Sequence, residues 1–155
     1  MRRFTLAAAA LLISGPLAAQ AADTTGKSAT SLSWAPAPAV FPAGAKMAVV
    51  SGNPMAAGPF TIQLSIPDGY RIMPHTHPAD EQVTVKKGTF LVGMGNTFDA
   101  AKTNAMATGA TGKVAANMSH YAQAKGATVL EVTSTGPFAM TYVNPSDDPS
   151  KKATP

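Results

Sequence analysis

The sequence has no cysteine, which excludes disulfide staples, thiolate chemistry and any cysteine-based zinc site. Charge is also scarce, at 13% of the residues, and there is a single tryptophan. The basic residues are scattered. Beyond Arg2-Arg3 they pair only at Lys86-Lys87 and Lys151-Lys152, so no basic face for nucleic acid is expected. What is abundant points another way. Hydrophobic residues make up 45% of 155 residues, enough for one buried core but not for two. Thirteen glycines and thirteen prolines cut the chain into short apolar runs rich in Val, Ile, Thr and Phe, a composition that favours β-structure.

Long apolar runs are missing as well, apart from the start. Residues 1–22 open with Arg2-Arg3, continue through an apolar stretch over 4–13, break at Gly15-Pro16 and reach Ala19-Gln20-Ala21. These are the three parts of a secretory signal peptide, and the apolar stretch falls short of the roughly 20 residues that span a bilayer. Cleavage is expected near Ala21 or Ala22, leaving a soluble periplasmic or secreted chain with no stable membrane insertion and no cysteine for a lipid anchor. Loss of Arg2 and Arg3 takes the twelve basic residues to ten against eight acidic ones, a formal charge of +2.

Residues 23–46 are rich in Thr, Ser, Ala and Pro, with Ala35-Pro36-Ala37-Pro38 at the centre. They read as an extended arm laid against the domain by Trp34 and Phe41. A barrel domain is expected over 47–143. Strand-like runs at 47–51, 60–66, 82–86, 89–95, 113–116, 128–133 and 138–143 alternate with turn signals, the spacing of a β-sandwich or barrel. Phe60, Ile62, Leu64 and Ile66 alternate with Thr61, Gln63 and Ser65, and Phe138, Met140 and Tyr142 alternate with Ala139 and Thr141; this is the period of two of strands buried on one face. A short helical insert capped by Asn96 or Thr97 is predicted over 97–105. The tail, 144–155, is polar and Pro-rich.

The chain has three histidines and two glutamates. His75 and His77 are two apart, so on an extended strand they project to one face, and Pro74 and Pro78 bias them away from helix. Glu81 follows a turn at Pro78-Ala79-Asp80. Two imidazoles and a carboxylate suit Zn, Mn, Fe, Ni or Cu, and His120 from a distant strand would complete the set. By spacing alone the pair is equally compatible with a surface placement, and His120 with a packed or solvent-facing ring. Met73 and Met118 each precede a histidine by two residues and Met94 ends an apolar strand, so all three are expected to share the histidines' face as an apolar wall. Tyr121 should point away from His120's face. Asp80 is expected to cap the turn or face away, and Arg71 to end a strand in solvent.

Gly69, His75, His77, Glu81 and Gly88 match every fixed position of the first cupin motif, G-x5-H-x-H-x3-E-x6-G. The second motif, G-x5-P-x-G-x2-H-x3-N, is matched by Gly109 and His120, while Ala115, Asn117 and Ala124 stand where Pro, Gly and Asn are usual. Over 47–143 the sequence thus resembles the cupin superfamily. The resemblance implies an all-β, double-stranded antiparallel jelly-roll barrel. It also implies one divalent transition metal ion held by His75, His77, Glu81 and His120, with substrate or water entering an open position. Glu81 could then serve in catalysis, accepting a substrate proton as in cupin dioxygenases. The reading favours an exported small-molecule metalloenzyme of oxygenase, lyase or isomerase type over a non-catalytic metal-dependent binding or sensing module. Sheet edges and the arm are compatible with a homodimer.

Overall fold

The computed structural model describes residues 31–151; the leader read at 1–22, the arm up to residue 30 and residues 152–155 of the tail lie outside the described residues. Nine strands form one curled antiparallel sheet. In chain order they are β1 (Ala35–Pro36), β2 (Lys46–Ser51), β3 (Gly58–Ile66), β4 (Arg71–Thr76), β5 (Glu81–Met94), β6 (Asn104–Ala107), β7 (Thr111–Val114), β8 (His120–Gly136) and β9 (Thr141–Tyr142). The path runs β1-β2-β3-β8-β4-β9, and β5 pairs with β6, β7 and β8.

The two long strands, β5 and β8, are the spine. They pair along most of their length, from Gln82 opposite Thr133 to Met94 opposite His120. The runs at 82–86 and 89–95 are therefore one strand, joined through register shifts on either side of Lys87. Gly88 sits at that irregularity with φ +83, and a Cβ there would meet Thr128 Oγ1 at 2.6 Å and the Ala127 carbonyl at 2.7 Å. Only glycine fits such a bulge, which bends β5 so that the sheet can curl.

Alternation along β3 produces the core. Phe60, Ile62, Leu64 and Ile66 are buried, and the residues between them are partly exposed. Ile62 pairs with Val132, which pairs with Val83; Leu64 pairs with Leu130, which pairs with Val85. These rows of buried branched side chains run across three strands, each side chain contributing about 1.5–3 kcal/mol of transfer free energy.

Three expectations are corrected. The helical insert is a single 3-10 turn, Ala100–Lys102, capped by Asp99 rather than by Asn96 or Thr97; the residues after it pair with β5 as β6, because Met106 has an apolar wall to cover. Of the run at 138–143 only β9 is strand, since the Phe138 N–H donates to the Pro54 carbonyl (2.6 Å) instead of joining a ladder. In the arm Phe41 is buried, but Trp34 is 39% exposed and anchors nothing. The second and third fixings are phenols: Tyr70 Oη donates to the Pro42 carbonyl (2.6 Å) and Tyr142 Oη to the Val40 carbonyl (2.8 Å). The extended segment expected around His75 is β4.

Candidate metal centre

His75 lies in β4, His77 one residue beyond its end, Glu81 at the first position of β5 and His120 at the first position of β8. Three pairings bring these ends together: His75 is opposite His120, His120 is opposite Met94, and Glu81 is opposite Val114. The loops between them are tied to each other. The Asn117 N–H donates to the His77 carbonyl (2.7 Å), and the Ala116 N–H donates to Asp80 Oδ1 (2.8 Å). The Asp80 carboxylate thus holds the segment that leads into His120 rather than a turn of its own.

Asn117 stands at the altered glycine position of the second motif and has φ +62. The backbone there is left-handed, which glycine adopts freely and asparagine more readily than other residues. The departure from the motif is therefore chemical and not geometric.

All three imidazoles are buried, and their ligand atoms lie within 4.8 Å of one another. Each Nδ1 is spoken for: His75 donates to the Met73 carbonyl (2.8 Å), His77 to that of Ala139 (2.7 Å) and His120 to that of Met118 (3.1 Å). A carbonyl only accepts, so Nδ1 carries a proton, and in the neutral ring it is Nε2 that presents a lone pair. Two of these Nε2 atoms face a carboxylate. Glu81 Oε1 is 3.7 Å from His77 Nε2, and Glu81 Oε2 is 3.5 Å from His120 Nε2. A carboxylate beside these nitrogens favours positive charge between them, and three nitrogens with one carboxylate are a donor set for a divalent ion of the first transition row. The residues fit such an ion, and the backbone carbonyls supply the supporting bonds that orient imidazole ligands.

Electrostatics point the same way. Burial, followed by the neighbouring His120 and His77, pushes the His75 pKa down to about 3, so the ring is neutral and ready to ligate at neutral pH. For Glu81, burial raises the pKa, but a proton carried on the facing His120 Nε2, and the positive charge that the surrounding imidazoles can take up, outweigh it and lower the pKa overall.

The cluster opens into a cavity of about 110 Å³ whose wall is mainly apolar: Leu64, Ile72, Val83, Phe90, Val92, Ala122, Phe138 and Met140 among others. Met94 lines it as expected, but Met73 and Met118 do not. The register shift between Ile72 and His75 puts Ile72 and His75 inside and turns Met73 away, while Met118 lies in the turn before β8, 50% exposed. Both contribute through their carbonyls instead. Tyr121 points away from the cavity, as expected; its ring is buried against Phe98 and its Oη donates to the Asp99 carbonyl (3.1 Å). Arg71 lies over the Phe98 ring, 5.3 Å from its centroid, outside the cavity. Sequence reasoning missed Phe41 and Met106 as wall residues and the Ala139 carbonyl as His77's partner. The alternation of Phe138 and Met140 was the available signal for the last of these.

The sequence matches no family model and no curated protein, but solved structures share its architecture. An RmlC-like cupin from Shewanella frigidimarina superposes with a TM-score of 0.50 at 17% identity, covering 59% of this chain and 76% of that one. The fold is that of a cupin. A polyketide cyclase, RemF, from Streptomyces resistomycificus shares this cupin architecture with a TM-score of 0.64 at 13% identity over 79% of this chain and 87% of that one. A putative acetylacetone dioxygenase from Methylibium petroleiphilum gives 0.57 at 20% identity over 88% of each chain. At these identities the likeness is one of fold, and the cupin barrel explains why residues distant in sequence meet at one end of β4, β5 and β8.

Proposed function

We propose that this chain is an exported cupin metalloenzyme acting on a small molecule, with one divalent transition metal ion bound by His75, His77, Glu81 and His120. The observation that supports it is the cluster of three buried imidazoles with ligand atoms within 4.8 Å of one another, each Nδ1 satisfied by backbone, with Glu81 against the Nε2 atoms of His77 and His120. Export rests on the leader at 1–22. When bound, the ion would supply Lewis-acid polarisation of a substrate oxygen, or redox chemistry if it is Fe, Mn, Ni or Cu. The protein's own part follows from the cavity. Its apolar wall seats the body of the substrate, the His75 imidazole stays neutral, and Glu81 is the group that can accept a substrate proton.

Glu81 is the sole carboxylate among the residues lining the cavity, and that observation also sustains a second reading, a metal-dependent module that captures a small molecule without turning it over. Proteins of the same fold differ in activity, as the polyketide cyclase and the putative dioxygenase do, and fold alone does not choose among them.

Metal analysis of the purified protein beside a His75→Ala, His120→Ala variant tests the reading. About one equivalent of metal per chain is expected in the parent and almost none in the variant. Equal metal in both overturns it. Oxygen uptake with candidate enols then separates an oxygenase from a binder.

A further inference from the structure

The wall of the cavity is not made by the barrel alone. Phe41 comes from the arm, outside the nine strands, yet it is 5% exposed and lines the same cavity as the histidine cluster. Its ring stacks on Phe138 with centroids 5.9 Å apart and planes 6° from parallel, and Phe138 in turn lies 5.2 Å from the His77 ring. The backbone on both sides of Phe41 is clasped: the Val40 carbonyl accepts from Tyr142 Oη and the Pro42 carbonyl from Tyr70 Oη. The Phe41 N–H closes a turn onto the Pro38 carbonyl (2.9 Å). A side chain inserted from outside and held at both flanks is placed more firmly than packing alone would place it.

The size of the cavity gives this placement a consequence. An apolar protein cavity of about 150 Å³ accommodates benzene, so the 110 Å³ here admits a body no larger than a few carbon atoms once a polar end sits at the imidazoles.

We propose that Phe41 is the specificity-determining residue of this site, a plug delivered by the arm that restricts it to small molecules with one polar end for the histidine cluster and a compact apolar body. The inference deepens the proposed function, since it names the ligand class of the same site.

The test uses imidazole and 4-phenylimidazole, which share a polar end and differ in apolar bulk, titrated against the cobalt(II)-loaded protein by visible absorption. Phe41→Ala and Phe41→Leu are compared with the parent. Ile66→Ala is the control, because Ile66 is equally buried but does not line the cavity. In Phe41→Ala the affinity for 4-phenylimidazole should rise at least tenfold relative to imidazole, with a smaller rise in Phe41→Leu and none in Ile66→Ala. An unchanged ratio in folded Phe41 variants overturns the inference; if Phe41→Ala does not fold, Phe41→Leu decides. Benzene binding to the metal-free proteins, followed by thermal shift, gives a readout that needs no metal. If the parent takes up no cobalt, the metal reading fails, and tighter benzene binding by the Phe41 variants alone still sustains the plug, whereas equal binding in all four proteins removes it.

Discussion

His75 and His120 face each other directly across β4 and β8, with ring centroids 4.2 Å apart. Two imidazoles this close cannot both be protonated without strong repulsion, and burial adds to the cost. The His75 pKa, pushed down to about 3 from an ordinary value of 6.5, expresses both effects. The unfolded chain then binds a proton between these values that the folded chain refuses. Stability contributed by neutral His75 is complete above about pH 6.5 and is lost as pH falls toward 3. Glu81, with its pKa lowered, adds a loss of the same sign below its ordinary range of 4.5. Urea midpoints of the metal-free protein in chelator should therefore drop steadily from pH 7 to pH 4, and His75→Gln should flatten that slope. A pH-independent midpoint in the parent would contradict the neutral cluster.

Glu81→Gln removes the negative charge but keeps the shape. Metal affinity at pH 7 is expected to fall by at least about 10–100-fold, the scale on which even the outer partners of metal ligands act, while three nitrogens still hold the ion at high concentration. Competition with a chromophoric chelator measures this. Should turnover of any substrate be found, the variant should lose it by about 100-fold or more; a fully active variant would remove Glu81 from the chemistry and favour capture over catalysis.

Asn117 is held in left-handed backbone by its hydrogen bond to the His77 carbonyl. Asn117→Gly should be close to neutral. Asn117→Ala should cost about 1–2 kcal/mol, read as a shift in denaturation midpoint, and should loosen metal binding because the same turn sets the approach to His120. Equal stability in the two variants would show that the turn carries no such demand.

Gly93 lies opposite Tyr121 in the β5-β8 ladder, and a Cβ at Gly93 would overlap the phenol ring. Gly93→Ala should cost about 1–3 kcal/mol through forced displacement of Tyr121. Adding Tyr121→Leu should recover part of that loss, a non-additivity that thermal denaturation of the single and double variants would reveal.

Much of this was legible in the order of residues. The absence of cysteine, the alternation over 60–66 and the spacing of His75, His77 and Glu81 follow from local chemistry, since a strand's period of two and a motif's glycines are properties of a few neighbouring residues. The position of the glycine at 88 could likewise be read, although only the fold shows that it bends β5. What the sequence could not decide is what meets what across the barrel. Met73 and Met118 share parity with the ligands on paper, but a bulge and a turn break that parity, and register is a property of paired strands. Trp34 and Phe41 look equivalent in the arm, yet only Phe41 reaches a ring, Phe138, almost a hundred residues away. His120 joins the other three residues because β8 lies between β4 and β5, an arrangement that long-range pairing alone determines.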